Sequence, residues 1–139
     1  MKTVTAYLSF DGNCRQAMSF YQECFGAELE LNPYPDANGQ PSTDPAARIM
    51  HAQLMRGGAP ILMATDTFQV GSLQPGNNFS VSIDCDSQDE ADRLFAGLSR
   101  SGEVRMPLTD APWGARFGML TDQFGIPWLL NCYLPQSKP

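Results

Sequence analysis

The strongest constraint in this sequence is that one order of secondary-structure signals occurs twice. A strand pattern, a helix pattern and three further strand patterns fill the first half, and the same order fills the second. Ala6, Leu8 and Phe10 alternate with Thr5, Tyr7 and Ser9; 73 residues later Phe79, Val81 and Ile83 alternate with Asn78, Ser80 and Ser82. Alternation of this kind gives a half-buried strand one apolar face. Late in each half, Gly58-Ala59-Pro60-Ile61-Leu62-Met63 aligns with Gly125-Ile126-Pro127-Trp128-Leu129-Leu130 at an offset of 67. The chain reads as a βαβββ duplication.

The first helix is expected over residues 14–25, where Cys14, Ala17, Met18, Tyr21, Cys24 and Phe25 form one apolar stripe. Asn13 stands at its N-cap with Gln16 three residues on, as in a capping box, and Gly26 supplies the stop. The second is expected over 88–100, with a Ser87/Glu90 capping box and a stripe of Ala91, Leu94, Phe95 and Leu98. Asp89, Glu90 and Asp92 suit the positive end of its dipole. The other strands are expected at 28–32, 48–56 and 59–65, then at 103–108, 116–121 and 127–134. Segment 33–45 holds four prolines and Asn38-Gly39, the composition of a loop: a mobile flap over a site or a poorly ordered excursion.

One half of about 65 residues buries little apolar surface by itself. Two halves can lay eight strands around a shared concave surface with the helices outside. That makes an α+β domain over 1–139, with module one at about 1–66, a linker at 67–77 and module two at 78–135. Strand parity then sends Phe10, Ile61, Met63, Ile83, Trp128 and Leu130 beneath the helices. It sends Thr5, Tyr7, Leu62, Asn78, Leu129 and Asn131 to the inner surface; a slip of one residue inverts such an assignment.

Composition narrows the function classes. The 139 residues are 42% hydrophobic and 17% charged, as in an ordinary soluble domain. No run of about 18 apolar residues offers a membrane span. Met1-Lys2-Thr3-Val4-Thr5 leads into a strand without a signal-like apolar stretch, so a cytoplasmic location is expected. A net charge of −6 without a basic run argues against nucleic-acid binding. Cys14, Cys24, Cys85 and Cys132 lack C-x-x-C spacing and sit among apolar residues, which favours buried reduced thiols over a zinc site or disulfides.

Several motifs then resemble a known family. Tyr7-Leu8-Ser9-Phe10-Asp11-Gly12-Asn13-Cys14, Ala17, Phe20-Tyr21 and Phe25-Gly26-Ala27-Glu28 carry the likeness in the first half. Trp113-Gly114, Gly118, Thr121-Asp122-Gln123-Phe124-Gly125-Ile126-Pro127-Trp128 and Asn131 carry it in the second. Together with the duplication, they resemble the vicinal oxygen chelate superfamily of glyoxalases, bleomycin-resistance proteins and extradiol dioxygenases, and within it the PhnB-like branch. The resemblance implies paired βαβββ modules and a homodimer; an aromatic-rich chain with little charge adds to the dimer expectation. It also implies His or Glu metal ligands on the inner faces of four strands. Those positions fall here at Thr5, Leu62, Asn78 and Leu129, none of them a carboxylate, imidazole or thiol, so no cofactor and no metal is expected. The methyltransferase label often attached to this branch would call for a glycine-rich strand-to-helix turn followed by an acid, and none is seen.

The candidate residues divide accordingly. His51, the lone histidine, reads either as a general base or single metal ligand, or as a strand histidine bonded to a neighbour. Tyr7, Ser9, Leu62, Asn78, Leu129 and Asn131 are expected to line a pocket, with Trp113 either an aromatic wall or a packing anchor. Asp122 with Gly125 reads as turn chemistry, Trp128 as core, Asp66 and Asp110 as loop acids, and Arg116 as a rim residue or an anion contact. No nucleophile with its base can be assembled around a single histidine. The expectation is a small-molecule binding protein with a metal-free pocket. A divergent metal-dependent lyase or dioxygenase using His51, and a dimeric scaffold without ligand, are the alternatives.

Overall fold

Both helices form where their apolar spacing places them. In the computed structural model, which describes residues 1–133, the elements run β1 (Tyr7–Phe10), α1 (Cys14–Phe25), β2 (Glu28–Pro33), β3 (Ile49–Arg56) and β4 (Ala59–Asp66). Then follow β5 (Val81–Asp84), α2 (Gln88–Leu98), β6 (Glu103–Ala111), β7 (Ala115–Thr121) and β8 (Pro127–Tyr133). Leu134, expected at the end of the last strand, lies outside the described residues. The chain divides into two compact units, one ending at Pro75 and the other beginning at Gly76. Each holds a four-stranded mixed sheet, ordered β1-β4-β3-β2 in the first and β5-β8-β7-β6 in the second. The first strand of each unit runs parallel to the fourth and the remaining pairs are antiparallel. This is the α+β architecture of the duplication, with the eight strands shared between two sheets.

In the first unit, Cys14, Ala17, Met18 and Tyr21 of α1 are fully buried together with Ile49, Ala52, Leu54 and Ala64 of the sheet. In the second, Ala91, Leu94, Phe95 and Leu98 of α2 are buried with Leu120, Trp128, Leu130 and Cys132. Gly118 makes that packing possible: a Cβ there would stand 2.8 Å from Phe95 Cε2. Face assignments hold in β8, where Trp128 and Leu130 are buried and Leu129 and Asn131 are half-buried on the other side.

They fail in β4. Leu62, expected on the inner surface, is 2% exposed, whereas Ile61, expected in the core, is 41% exposed. The pairing explains this: Leu54 stands opposite Leu62 but Met55 opposite Pro60, so Ile61 is an extra, bulged residue. The β7–β8 pair runs without such a shift, and the alignment at offset 67 is therefore one residue out in this strand. Met63 consequently lies on the face away from α1, not beneath it.

Asn78 and Phe79 also depart from expectation, because β5 begins only at Val81 and both residues are exposed. The Asn131 carbonyl accepts from Cys85 N–H, so the odd-numbered residues of β8 turn their backbone groups toward β5. Counting back, Leu129 and then Pro127 are the next of these, and Pro127 has no N–H, so the ladder stops there.

Two buried acids organise the turns. Asp66 is 1% exposed, not a solvated loop acid. One of its oxygens accepts from Gly12 N–H at 2.8 Å and Cys14 N–H at 3.0 Å, the other from Ile49 N–H at 2.8 Å. It thereby serves the start of α1, where the Asn13 side chain makes no cap bond. α2 is capped locally: Ser87 Oγ accepts from Glu90 N–H at 3.1 Å, and Glu90 reaches back to Asp86 N–H at 2.9 Å. Asp122 accepts from Phe124 and Ile126 N–H and, through its other oxygen, from Trp128 Nε1 at 2.8 Å, while Gly125 takes φ +86°. The Arg116 guanidinium lies 3.4 Å from Asp92 of α2 and 3.9 Å from Asp110, which sits in β6 and not in a loop. Segment 33–45 is irregular but built from local turns, Asp36 accepting from Asn38 and Gln40 N–H and Asp44 from Ala46 N–H.

Two predictions follow from this core. Replacing Asp66 by Asn leaves one acceptor oxygen, turns its amide donor against at least one of the three backbone donors and removes the charge; it is expected to cost about 2–3 kcal/mol, lowering Tm by several degrees in calorimetry. An unchanged Tm would make those bonds dispensable. The four cysteines are free thiols. Cys14 is pushed up to about 12 by burial and then by the Asp66 carboxylate, against a smaller opposing effect of Arg15. Cys85 is pushed up to about 12 by burial and then by Glu90, with Cys132, Asp84 and Asp86 adding to it. A raised folded-state pKa stabilises the fold fully below about pH 9 and loses that contribution as pH climbs from about 9 toward 12. Native protein at pH 8 should therefore alkylate at these two thiols about a thousandfold more slowly than unshifted thiols. Mass-spectrometric mapping of iodoacetamide adducts checks this, and early labelling of Cys14 or Cys85 would contradict it.

Candidate functional site

With α1 covering one face of the first sheet, alternation leaves Tyr7 and Ser9 of β1, Met63 and Thr65 of β4, and His51 and Gln53 of β3 on the other. Register supports this grouping: Tyr7 lies opposite Met63, Met63 opposite Gln53 and Gln53 opposite Glu30, one row across all four strands. Ser9 lies opposite Thr65, and His51 opposite Asn32. Across the row, the Tyr7 hydroxyl stands 3.2 Å from His51 Nδ1, with the two ring centroids 5.8 Å apart. Either tautomer serves this bond: the phenol donates to Nδ1, or Nδ1–H donates to the phenol oxygen. Tyr7 is 50% exposed and His51 half-buried; Met50, the residue after Ile49 that the β2–β3 register skips, and the bulged Ile61 are exposed. Gln53 Nε2 donates to Glu30 at 2.7 Å, and Thr65 Oγ1 donates to the Met50 carbonyl at 2.7 Å.

The chemistry of this face is hydrogen bonding next to thioether and aromatic surface. His51 is partnered by a phenol and not by a carboxylate, so it lacks the orienting acid of a nucleophile–base–acid triad. The structure brings together Tyr7, Ser9 and His51 from the sequence-derived candidates. It places Leu62 in the core and Asn78 in an exposed segment ahead of β5. Leu129 and Asn131 lie on the second sheet, away from its core face, opposite Ser82 and Asp84 respectively. Trp113 sits in the β6–β7 turn, 57% exposed and edge-on to Phe117 at 5.3 Å, which makes it an exposed ring leaning on its own hairpin. Gln53, Met63 and Asn32 were missed. Alternation from His51 points to Gln53, whereas Met63 was hidden by the bulge.

The residues at the implied metal positions do not fit a divalent ion. Thr5 precedes β1, Leu62 points into the core, Asn78 is outside the ladder and Leu129 is aliphatic. Among the described residues, no three His, Cys, Asp or Glu side chains are grouped to hold a metal ion. No helix among them is long and apolar enough to cross a membrane.

Known proteins share this arrangement. Protein PA1353 from Pseudomonas aeruginosa has a similar structure, with a TM-score of 0.82 and 39% identity over 96% of this chain and 99% of that one. A Bacillus cereus structure described as a putative 3-demethylubiquinone-9 3-methyltransferase, PhnB protein, gives a TM-score of 0.75 and 26% identity over 94% and 99%. Protein YjdN of Escherichia coli (strain K12) is 32% identical, the match covering 92% of this chain and 93% of YjdN. Residues 4–130 match the family model described as the Glyoxalase/Bleomycin resistance protein/Dioxygenase superfamily. With that match spanning nearly all of both βαβββ units, the chain belongs to the glyoxalase/bleomycin resistance protein/dioxygenase superfamily.

Proposed function

We propose that this protein is a PhnB-like small-molecule binding protein that holds its ligand without a metal ion, against the face of the first sheet opposite α1. The Tyr7–His51 pair carries the reading: a phenol hydroxyl 3.2 Å from an imidazole Nδ1, accessible and on one face with Ser9 and Met63. A ligand with one polar group and an apolar body would bond Tyr7, His51 or Ser9 and lie on Met63 and Ile61. Leu129 and Asn131 offer a similar apolar-plus-amide surface on the second sheet.

The methyltransferase description of the Bacillus cereus relative is not carried over. The Gly12 and Cys14 amides at the opening of α1 are taken by Asp66 and the Asp86 and Glu90 amides around the start of α2 by Glu90 and Ser87, and a buried carboxylate at the first turn disfavours a phosphate there. Four free thiols suit a reducing cytoplasm. Self-association as a homodimer belongs to the same proposal, and light scattering at micromolar protein tests it: a monomer mass would remove the dimer.

The binding test is thermal unfolding of chelator-stripped protein against small organic compounds and against Ni²⁺, Zn²⁺, Mn²⁺, Fe²⁺ and Co²⁺. A true ligand at about 100 times its Kd adds about 2.7 kcal/mol, a rise of several degrees for a domain this size. The organic ligand's rise should shrink or vanish in Tyr7→Phe and His51→Gln. A metal-selective rise lost in His51→Ala would replace this reading with a metal-dependent lyase or dioxygenase.

A further inference from the structure

A concave site lies in the second unit, formed by residues that the Tyr7–His51 reading does not use. A cleft of about 380 Å³ is lined by Phe79, Ser80, Arg105, Met119, Thr121 and Pro127, near the β7–β8 hairpin. We propose that it binds a small monocarboxylate with an apolar, ring-sized body.

The cation is Arg105. Its Nε donates to Thr121 Oγ1 at 3.2 Å, which fixes the plane of the guanidinium against the wall of the cleft. Glu103 approaches the same Nε only to 3.8 Å, and both side chains are more than half exposed, so this ion pair competes weakly. Both contacts use Nε. Among the described residues, the two terminal nitrogens have no partner and present the planar fork that matches a carboxylate. The Ser80 hydroxyl supplies a further polar group in the cleft.

The apolar wall has a structural origin. Because Pro127 cannot extend the ladder, the chain ahead of Val81 stays out of the sheet and Phe79 is left 48% exposed instead of packed. Its ring, with Met119 and Pro127, lines the cleft beside the guanidinium. An accessible aromatic next to a fixed cation is suited to a molecule that is apolar at one end and anionic at the other. The chain carries −6 overall, so its general field repels anions and Arg105 supplies the local exception. A single guanidinium balances one negative charge, which favours a carboxylate over a phosphate dianion.

The test is an NMR titration of backbone amides in the full chain, with benzoate as the probe and benzamide as its uncharged counterpart. Benzoate is expected to shift the amides of Ser80, Arg105 and Thr121 saturably, with benzamide about tenfold weaker. Arg105→Gln should weaken benzoate about tenfold, Arg105→Lys by less, and Glu103→Gln should tighten it. Both side chains are exposed, so the remaining resonances should stay in place and report an intact fold. Equal binding of benzoate and benzamide, undiminished binding by Arg105→Gln, or the absence of a saturable shift at these amides would each overturn the site. Tyr7 and His51 are not among the residues lining the cleft, so their variants test the Tyr7–His51 reading and Arg105→Gln tests this one.

Discussion

The first unit depends on one buried carboxylate. Asp66, at the end of β4, accepts three backbone N–H bonds from the β1–α1 connection, the first turn of α1 and the start of β3. The Cys14 and Ile49 donors would otherwise be buried without a partner, and the negative charge also suits the helix N-terminus. By fixing where α1 starts, Asp66 fixes which side of the sheet the helix covers. The other side, with Tyr7, Ser9 and His51, is open as a consequence. Tyr34 adds to the knot by donating its hydroxyl proton to the Asp66 carbonyl at 3.0 Å, which ties the long β2–β3 connection to the same point.

The second unit solves the same problem differently. Phe10 pairs with Asp66 at the end of the parallel pair in the first sheet, and Asp84 pairs with Asn131 at the end of that in the second. Beyond the bulge the sheets match at an offset of 66, so the position of the buried acid is taken in the other unit by the buried Cys132, and α2 is capped by its own Ser87 and Glu90. The buried acid of that unit has moved to the hairpin, where Asp122 holds both the turn and the Trp128 indole. The duplication preserves element order and pairing while the hydrogen-bonding devices at the turns have diverged.

This divergence explains what could be read from sequence. The helices were legible because a buried stripe is a local pattern, and Ala91, Leu94, Phe95 and Leu98 are all buried as read. β8 was legible because its hairpin with β7 has no bulge. β4 was misread because the bulge at Ile61 is a property of the pair with β3 and leaves no mark in β4 itself. Asn13 looked like a cap because it stands in the right place, whereas Asp66 is 52 residues from Cys14 and nothing local announces it. The early end of β5 is set by Pro127, also far along the chain. At the candidate site, Tyr7 and His51 were each visible, but their meeting depends on registry through β4, the strand whose faces were inverted.

The two faces of each sheet differ in what a substitution costs. On the helix face, trimming a residue such as Leu62 or Trp128 leaves a cavity in a close-packed layer, at about 2–5 kcal/mol against a total stability of about 5–15 kcal/mol. On the open face, Tyr7 and Ser9 are exposed and Gln53 and Met63 half-buried, so changes there remove little packing. A fold built this way can lose charged or imidazole groups from its open face, or acquire a phenol–imidazole pair, without disturbing the layer that holds it together. Membership of the superfamily is therefore legible in the buried positions and turns, while chemistry is written in the alternate residues, where a slip of one position along β4 exchanges Leu62 for Met63 and changes the whole reading.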